Sequence, residues 1–335
     1  MKLVTFVPKS ASETTPRPGV LTADNEAVAD LQTAAIARSG SALPYFTDML
    51  KWLEGSEEAF EETQRVVEFL RRQSPPGTSH RLDSVVLLAP VPLPRSIRDF
   101  MAFEKHIVQA TRTVAKWRFP PLATLDTWAE RLWGRPLIGA PKVWYERPIY
   151  YKSNTFSVVG PEAEIRWPRY TERLDYELEF GAFIGRAGRD IPKEEARQHI
   201  VGYTIFNDFS ARDIQLREMQ GRLGPAKGKD FDTGNAMGPY LVTADEVPDP
   251  YNLKMVARVN GEEWSRGSSA DMHFTFEDMI TYVSQDETLY PGEFIGSGTV
   301  GTGSGLELDR WLKPGDVVEL EVEHLGVLRN RVVRP

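Results

Sequence analysis

The segment Asp175-Tyr176-Glu177-Leu178-Glu179-Phe180-Gly181 places two acidic residues one position apart within an apolar alternation. Successive side chains of a β-strand point to opposite faces, so the carboxylates of Glu177 and Glu179 leave from one side and the apolar side chains from the other. Two like charges about 7 Å apart, which is two strand rises, repel each other unless a cation lies between them. The pair therefore marks either a solvated edge strand or one side of a divalent-cation site. The spacing alone favours the edge strand, and other residues must decide.

The composition is that of an ordinary globular protein, with 335 residues, of which 41% are hydrophobic and 26% charged. This length allows a sizeable core and one large domain with a smaller one. The net charge of −8 argues against a nucleic-acid or anionic-membrane partner, because phosphate surfaces bind basic proteins. The chain has no cysteine, which excludes disulfides, thiolate ligands and a cysteine nucleophile. A metal site must therefore use oxygen or histidine ligands.

No stretch of the sequence predicts a membrane segment. The start, Met1 to Pro8, is too short and too soon interrupted by proline to be a signal sequence. No apolar run approaches the ~20 residues of a membrane span. We therefore expect a soluble, cytoplasmic protein.

The first 78 residues predict a small unit of their own. Residues 2–7 and 19–31 predict short strands around a Pro- and Ser-rich turn, and two helices follow. The better helix has Ser56 as its N-cap and acidic residues in its first turn. The proline-rich run at residues 73–78 ends it and is the best domain boundary. We expect a small N-terminal domain at residues 1–78 and a larger domain at residues 79–335.

The larger domain is predicted to be mostly β. Residues 97 to about 115 predict a helix, and residues 116–145, rich in Trp and Pro, are interpreted as irregular. Strands are predicted at residues 85–94, 156–160, 175–185, 203–207, 239–243, 253–261, 293–296 and 316–323, the first of them ending in prolines. Many strands with few long helices favour a mainly β, α+β fold over a doubly wound α/β fold.

Further acidic and basic residues lie near the ends of predicted elements. Asp99 stands at a predicted helix start, Asp208 follows an apolar strand, and Lys229 lies in a glycine-rich loop. Aspartate is common at helix caps and turns for local hydrogen-bonding reasons, so Asp99 alone fits a structural role. Together with Glu177 and Glu179, however, Asp99 and Asp208 give four carboxylates. That hard-oxygen set suits Mg²⁺, Ca²⁺ or Mn²⁺ rather than zinc.

Among the five histidines, His106 has the most informative spacing. It follows Asp99 by two helical turns, so both side chains project from one face if the segment is helical. His106 would then be a general base near the metal. Surface or packing roles fit the other four better, namely His80, His199, His273 and His324.

The run from Gly296 to Gly305 contains the pattern G-x-G-x-x-G. A dinucleotide site needs a helix directly after the glycines, whereas the segment that begins at Leu306 is short and runs into a turn. We therefore interpret the glycines as room for the backbone to approach a ligand, or as a moving loop.

In this order the motifs resemble those of the fumarylacetoacetate hydrolase family over roughly residues 80–335. The family's metal signature is an Asp, an acidic E-x-E strand and an N-D-[FW]-[ST]-x-R-D-x-Q segment. These stand here as Asp99, Glu177 to Glu179 and Asn207 to Gln215. The resemblance implies a C-terminal mixed β-sandwich roll with a small N-terminal β/α domain, usually paired as a homodimer. It also implies a divalent cation, Mg²⁺ before Ca²⁺ or Mn²⁺, on Asp99, Glu177, Glu179 and Asp208.

The resemblance further assigns roles around a reacting carbonyl. His106 matches the family's water-activating base, and Glu307 matches the base's acidic partner. The other matching positions are the carbonyl-binding Arg212, Gln215 and Lys229 and the substrate-contacting Tyr151 and Thr299. Met101 stands where the fumarylacetoacetases place a substrate-binding tyrosine, and residues 107–145 match poorly. The arginine that holds the distal carboxylate has no clear counterpart, although Arg112 is nearby.

These assignments imply a metal-dependent hydrolase that cleaves a carbon–carbon bond in a 1,3-diketo acid, of the fumarylacetoacetate or acylpyruvate type met in aromatic catabolism. The alternative within the family is a decarboxylase, isomerase or hydratase that acts on a 2-keto acid through a metal-bound enolate. Glu307 favours the hydrolase, because enolate chemistry without hydrolysis needs no water-activating dyad. A third interpretation is a non-catalytic cation- or ligand-binding β module, since structural carboxylate networks also form such clusters.

Overall fold

The computed structural model describes the backbone of residues 1–9, 15–134 and 137–334 and the side chains of these residues other than 122 and 123. Its first eleven strands are β1 (Lys2–Pro8), β2 (Arg17–Leu21), β3 (Ala27–Asp30), β4 (Ser79–Arg81), β5 (Val85–Leu87), β6 (Ser96–Phe100), β7 (Tyr150–Ser153), β8 (Val158–Val159), β9 (Glu164–Arg166), β10 (Leu174–Asp175) and β11 (Leu178–Ile184). The later strands are β12 (Gly188–Arg189), β13 (Ile200–Asp208), β14 (Ser210–Ala211), β15 (Asn235–Thr243), β16 (Lys254–Val259), β17 (Glu262–Ser268), β18 (Thr288–Leu289), β19 (Glu293–Gly296), β20 (Val317–Val322) and β21 (Gly326–Val333).

The helices are short and lie mostly between the strands. They are α1 (Leu31–Ser39), α2 (Met49–Glu54), α3 (Ser56–Arg72), α4 (Glu104–Arg118), α5 (Pro120–Trp133), α6 (Lys142–Glu146), α7 (Lys193–Ala196), α8 (Arg212–Glu218), α9 (Phe276–Val283) and α10 (Gly305–Leu308).

Two mixed sheets dominate the described part of the chain. The larger has twelve strands in the order β4-β3-β2-β1-β15-β13-β11-β19-β6-β7, with β5 beside β1 and β8 beside β15. The smaller has five strands in the order β17-β16-β20-β21-β9. Most pairs are antiparallel, whereas β19 runs parallel to β6, β15 to β8 and β21 to β9. The expected mainly β, α+β fold, with a C-terminal mixed β-sandwich roll, is confirmed.

Strand β11 separates two apolar cores by the alternation of its side chains. Phe180 faces the core shared with the five-stranded sheet, which contributes Met255 and Leu320. Phe183 points the other way and packs in a second core with Trp52 and other residues of α1–α3. Because both faces of the strand are covered, β11 is buried along its whole length.

The N-terminal unit contains the expected strands and helices, with one difference at a helix start. The strands β1–β3 and the helix α3 lie where the sequence predicts them, whereas the predicted turn falls partly on residues 10–14, outside the described residues. Gly55, not Ser56, is the N-cap of α3, and Ser56 is its first residue. Glu57 and Glu58 occupy the first turn, where the helix dipole favours acidic side chains.

The division at residues 78 and 79 stays a prediction. Strand β1 pairs with β15 and with β5, so the twelve-stranded sheet includes strands from both sides of that boundary. The proline-rich run itself is a loop between α3 and β4.

The segment from residue 97 to residue 145 differs most from the sequence-based expectation. Residues 96–100 form strand β6 rather than a helix start, and α4 begins only at Glu104. The interpretation of residues 116–145 as irregular is wrong for α5 and α6, which are helical. Pro120 and Pro121 open α5 at its first positions, where proline is tolerated because those N–H groups have no partner within the helix.

Within the described residues, no helix is both long and apolar enough to cross a membrane.

The core residue Phe180 provides a test of the packing. Phe180 is 0% exposed between the two sheets, so Phe180→Ala should lower the free energy of unfolding by about 3–5 kcal/mol through lost burial and a cavity. Phe156 is 82% exposed, and Phe156→Ala should change it by less than ~0.5 kcal/mol. Urea unfolding of both variants measures the difference, and equal losses would contradict this packing.

Candidate active site and metal centre

The two glutamates of the acidic segment lie at strand β11 of the larger sheet. Glu179 is on β11, and Glu177 precedes the strand, where it forms an isolated bridge with Ser304. Strand β11 lies between β13 and β19, so it is not an edge strand. Glu177 is 4% exposed and Glu179 is 0% exposed. The solvated-edge interpretation is therefore wrong.

Neighbouring strands bring two further carboxylates to the same place. Asp208 is the last residue of β13, which pairs with β11. Asp99 lies on β6, opposite Gly296 of the parallel strand β19. A Cβ atom on Gly296 would lie 2.3 Å from Oδ1 of Asp99, so only glycine leaves room for this carboxylate. Asp99 and His106 thus do not share one helix face, because Asp99 is on a strand and His106 is on α4.

Asp99, Glu179 and Asp208 form a group that could hold a metal ion. Each offers a carboxylate oxygen, and these oxygens lie within 4.8 Å of one another. Among the described residues, one buried oxygen of each has no hydrogen-bond partner, namely Oδ1 of Asp99, Oε2 of Glu179 and Oδ1 of Asp208. Burying an unpartnered carboxylate is costly, and a hard divalent cation would supply the missing partner. The donor set therefore fits Mg²⁺, Mn²⁺ or Ca²⁺.

The carboxylates of this group hold protons more tightly than ordinary ones. Burial, with the nearby Asp208, raises the pKa of Asp99 to about 8. Burial also raises the pKa of Asp208 to about 6, although Lys229 acts in the opposite direction. The pKa of Glu179 is raised well above its usual range by burial and by the adjacent Asp99. Each shift reflects negative charge confined where water cannot solvate it.

Glu177 has a different environment from the other three. Its Oε1 accepts a hydrogen bond from Nη2 of Arg212 at 2.7 Å, and its Oε2 lies 2.5 Å from Nζ of Lys229. Burial opposes its ionisation, but Arg212 and Lys229 outweigh burial and lower its pKa. Glu177 is thus an anion that holds two cations, and its expected role as a fourth metal ligand stays a prediction.

All of the expected carbonyl- and substrate-binding residues except Gln215, which contacts Arg212, contact the carboxylates directly. Nζ of Lys229 is also 2.5 Å from Oδ2 of Asp208, and the hydroxyl of Tyr151 donates to the same oxygen. Oγ1 of Thr299 donates to Oε1 of Glu179 at 3.0 Å. These contacts use one oxygen of each carboxylate. Among the described residues, Oδ1 of Asp208 and Oε2 of Glu179 have no hydrogen-bond partner.

His106 lies beside Glu307, the residue that the family resemblance pairs with it. Nδ1 of His106 is 2.9 Å from Oε2 of Glu307, although the N–H direction is not aligned well enough for a hydrogen bond. Such contacts often tighten only when substrate binds. The carboxylate of Glu307 is fixed by the backbone N–H of Thr302 at 2.7 Å and by the backbone N–H and hydroxyl of Ser304. Glu307 is therefore a pre-positioned acceptor that also caps α10.

A second attachment fixes the far end of α4 against the loop after α10. Nζ of Lys116 pairs with Oδ2 of Asp309 at 2.7 Å, and Nε1 of Trp117 donates to Oδ1 at 3.2 Å. The guanidinium of Arg173 lies over the neighbouring rings of Trp117 and Trp311, at 4.5 and 5.2 Å from their centres. With contacts at both ends, α4 holds His106 over Glu307.

Asp175 is a site residue that the sequence did not single out. Its Oδ2 accepts from Nε of Arg212 at 2.7 Å, and its two oxygens accept from the backbone N–H groups of Gly305 and Leu306. Asp175 thereby joins Arg212 to the start of α10, which carries Glu307. The alternation itself could have identified it, because Asp175 precedes Glu177 by two positions and a strand places such residues on one face.

Arg112, which lies near the sequence position of the family's distal-carboxylate arginine, does not line the cavity that the other site residues form. Its guanidinium pairs with the buried Asp126 and with Glu130 at 2.9 Å, which ties α4 to α5. A substrate carboxylate would therefore have to compete with two carboxylates of the protein.

A cavity of about 940 Å³ opens from these carboxylates towards the surface. It is lined by all of the expected site residues except Asp208 and Glu307, namely Asp99, His106, Tyr151, Glu177, Glu179, Arg212, Gln215, Lys229 and Thr299. One concave site therefore contains the candidate base His106, the ammonium group of Lys229 and the carboxylates of Asp99 and Glu179.

The raised pKa values predict how the stability of the metal-free protein depends on pH. The pKa values of Asp99 and Asp208 rise from 3.8 to about 8 and about 6, so the folded state binds more protons than the unfolded state in between. Stability should then fall as the pH rises from about 4 to about 8. We expect the chelator-treated protein to melt at a lower temperature at pH 8 than at pH 5.5.

Two variants control this experiment. Asp99→Asn removes one of the titrating groups and should flatten the pH dependence, whereas Asp83→Asn, at an exposed ion pair with Arg81, should leave it unchanged. A melting temperature that rises with pH in the metal-free protein would contradict the raised pKa values.

Comparisons with known proteins identify a family model and similar proteins. The profile of the fumarylacetoacetate (FAA) hydrolase C-terminal family matches residues 132–333. The mitochondrial oxaloacetate tautomerase FAHD2A of Homo sapiens is 42% identical over 189 residues, which cover 56% of this chain and 60% of that protein. The chain thus spans about three fifths of the length of that curated relative.

Two solved structures show the same fold over the whole chain. The fumarylacetoacetate hydrolase of the psychrophilic Exiguobacterium antarcticum has a TM-score of 0.71 at 26% identity and covers 100% of both chains. The maleylpyruvate hydrolase of Sphingobium sp. SYK-6, solved with manganese(II) and pyruvate, has a TM-score of 0.69 at 22% identity and covers 100% of this chain and 99% of its own. The family profile spans more than half of the sequence and shows that the chain belongs to the fumarylacetoacetate hydrolase family.

Proposed function

We propose that the protein is a divalent-cation-dependent enzyme that interconverts the keto and enol forms of a small 2-keto acid of the oxaloacetate type. The observation that carries this proposal is the set of three buried, incompletely partnered carboxylates beside a cavity that His106 and Lys229 line. The sequence favoured hydrolysis. The 42% identity to a human oxaloacetate tautomerase instead supports enolate chemistry without hydrolysis.

Asp99, Glu179 and Asp208 would hold the cation, with Glu177 as the predicted fourth ligand. Mg²⁺ stays the first candidate, with Mn²⁺ and Ca²⁺ as the others. A bound divalent cation would act as a Lewis acid that polarises the keto oxygen and stabilises the negative charge of the enolate.

His106 is the proposed group for proton transfer. Its Nδ1 faces Glu307, which leaves Nε2 free to take a proton from the carbon next to the keto group and to return it. The carboxylate of Glu307 would stabilise the imidazolium that forms in between. Three donors fix the carboxylate of Glu307, so the acceptor that faces the ring is in place before substrate arrives.

Lys229 and Gln215 are the proposed donors to the substrate. Lys229 uses two of its three N–H bonds on Glu177 and Asp208, so one stays available. The amide oxygen of Gln215 accepts from Nη1 of Arg212 at 2.9 Å, which orients the amide N–H₂ group as a donor. Arg212 acts mainly by positioning Gln215 and Glu177. Tyr151 and Thr299 complete the expected substrate contacts along the cavity wall.

Carbon–carbon bond hydrolysis of a 1,3-diketo acid is the second candidate, and the contact of His106 with Glu307 favours it. In that reaction Nε2 would take a proton from water, and the hydroxide would add to the distal carbonyl carbon. The carbon–carbon bond would then break, with its electron pair left on the departing fragment as an enolate. Protonation of that enolate gives a keto acid beside a second acid.

One assay separates the two reactions. The Mg²⁺-loaded protein is mixed with freshly dissolved enol oxaloacetate, and with acetylpyruvate and fumarylacetoacetate in parallel, and absorbance of the enol or diketone is followed. Tautomerisation removes enol absorbance without cleavage products, whereas hydrolysis releases acids that chromatography detects. If Mg²⁺, Mn²⁺ and Ca²⁺ all fail to support either reaction, the proposed function is wrong.

Substitution of the proposed base tests its role. His106→Gln should lower kcat by roughly 10²–10⁴-fold, because the proton acceptor is lost, while the Kd for Mn²⁺ measured by calorimetry stays unchanged. Glu307→Gln should also lower kcat. His324 is an exposed histidine with a positive φ, and asparagine tolerates that conformation, so His324→Asn is the matched control and should keep full activity. Full activity in His106→Gln would exclude it as the base.

Metal removal and restoration form a separate prediction. Chelation should abolish activity, and added Mg²⁺ or Mn²⁺ should restore it. Asp99→Asn, which keeps the size of the side chain but loses its charge, should weaken Mn²⁺ binding by about tenfold or more, because ligand charge sets affinity. The exposed Asp245→Asn serves as a control and should bind Mn²⁺ like the unaltered protein. Equal affinity in Asp99→Asn would place the metal elsewhere.

A further inference from the structure

A three-residue connector, residues 101–103, joins the strand that carries Asp99 to the helix that carries His106. Strand β6 ends at Phe100, and α4 begins at Glu104. In the proposed function Asp99 binds the cation and His106 transfers the proton, so the connector sets the distance between these two groups. A displacement of the connector would move α4, and with it the proposed base, relative to the cation.

Four separate segments of the chain hold the backbone of this connector. Their contacting residues are Trp144, Ile149, His273 and Ser297. The N–H of Met101 donates to the carbonyl of Ile149 at 3.1 Å, and its carbonyl accepts from Nε1 of Trp144 at 2.6 Å. The N–H of Ala102 donates to the carbonyl of Ser297 at 3.1 Å, and its carbonyl accepts from the N–H of His273 at 2.8 Å. All four backbone groups of these two connector residues therefore have partners.

The glycine-rich run that begins at Gly296 makes room for the two ends of the connector. Gly298 has a φ of +77°, and a Cβ atom there would overlap the carbonyl oxygen of Phe100. A Cβ atom on Gly301 would lie 2.6 Å from Cδ of Lys105, in the first turn of α4. The run therefore packs against the protein itself, from the end of β6 to the start of α4.

Trp144 of α6 holds the connector from outside the cavity. Trp144 is 1% exposed and does not line the cavity, whereas Met101, whose carbonyl it holds, is 40% exposed and does line it. Hydrogen bonds rather than burial therefore fix Met101. The ring of Trp144 is itself held by other rings, with its centre 4.8 Å from that of His273 and 5.8 Å from that of Phe274. Any influence of the indole on the reaction must pass through Met101.

The neighbouring residue of α6 holds the first turn of α4. The hydroxyl of Tyr145 donates to Oε1 of Glu104, which precedes His106 by two positions. The ring of Tyr145 also packs edge-to-face on that of Trp144, with the ring centres 4.9 Å apart. Two consecutive residues of α6 thus fix both the connector and the start of the helix that carries the proposed base.

We propose that Trp144 and Tyr145 are positioning residues of the active site. Trp144 acts through the carbonyl of Met101 and Tyr145 through the carboxylate of Glu104, and together they keep the proposed base at a fixed distance from the cation ligands. The inference rests on the proposed function, because it concerns the position of His106 as the base. A misplacement of reacting groups by ~1 Å lowers rates by about 10²-fold, so the contacts of α6 matter for turnover.

Trp144→Phe removes the indole N–H and keeps an aromatic ring in the same place. In the enol oxaloacetate assay we expect kcat to fall by roughly tenfold or more, because the start of α4 is held less firmly. KM and the Kd for Mn²⁺ should stay unchanged, since the contacts to substrate and cation are retained. A role in folding alone would lower the melting temperature and leave the kcat of the folded protein unchanged.

Trp52→Phe is the matched control for this variant. Trp52 is also buried, in the core formed with α1–α3, and its Nε1 also donates to a single acceptor, Oγ1 of Thr63, at 2.8 Å. Trp52→Phe should therefore lower the melting temperature but keep full kcat. A kcat of Trp144→Phe no lower than that of Trp52→Phe would overturn the role of Trp144.

Tyr145→Phe is a second variant that does not disturb the core. Tyr145 is 44% exposed, so the change should not affect folding, and kcat should fall by about two- to tenfold through the loss of one hydrogen bond. Tyr290 is 52% exposed and lies outside the cavity, so Tyr290→Phe is the control and should keep full kcat. Full kcat in Tyr145→Phe would overturn the role of Tyr145 and, if Trp144→Phe does not fold, the whole proposal.

Hydrogen–deuterium exchange of the metal-free protein distinguishes failure of this proposal from failure of the proposed function. In Trp144→Phe the amides of residues 101–106 should exchange roughly tenfold faster than in the unaltered protein, because local opening becomes easier. Trp52→Phe should leave their exchange unchanged. If keto acids are turned over but Trp144→Phe keeps full kcat, only the positioning role is wrong. If no keto acid is turned over, the proposed function fails, and unchanged exchange at these residues in Trp144→Phe would then overturn the positioning role as well.

Discussion

The burial of more carboxylates than cations is the constraint on which the rest of this structure depends. Asp99, Asp175, Glu179 and Asp208 are all nine-tenths or more buried around Glu177, and two buried cations, Arg212 and Lys229, lie among them. A buried charge is tolerated only when it is paired and hydrogen-bonded. Arg212 and Lys229 neutralise Glu177 and parts of Asp175 and Asp208. Among the described residues, one carboxylate oxygen each of Asp99, Glu179 and Asp208 has no hydrogen-bond partner. That imbalance is what a divalent cation would correct.

The sheet stabilises this concentration of charge by placing it between two apolar cores. On β11 one face carries Glu179 and then Phe183, and the other carries only apolar residues. The same strand therefore positions a ligand and holds the two halves of the fold together. A shift in its register by one residue would put Glu179 into the core and Phe180 into the site, so catalysis and folding select the same pairing.

The position of His106 shows why a correct residue can be reached by an incorrect route. The sequence placed Asp99 and His106 on one helix, and His106 does lie in the cavity beside Glu307. Yet Asp99 arrives on β6 and His106 on α4, and they meet because β6 runs parallel to β19 and α4 is fixed at both ends. Local periodicity cannot distinguish these routes, because both bring two side chains to one point. The same limit left α5 unrecognised, since its two prolines look like loop residues unless the helix start is known.

From the sequence alone, alternation, residue chemistry and motif order predicted the family and the mainly β fold. They also identified a set of acidic residues suited to a hard cation. These properties are local, because a strand points alternate residues to one side whatever surrounds it. The tertiary structure alone decided which carboxylate oxygens lack partners, that Glu177 is held by two cations, and that Arg112 is bound elsewhere. Those distinctions depend on contacts between residues far apart in the chain, so no pattern within a segment contains them.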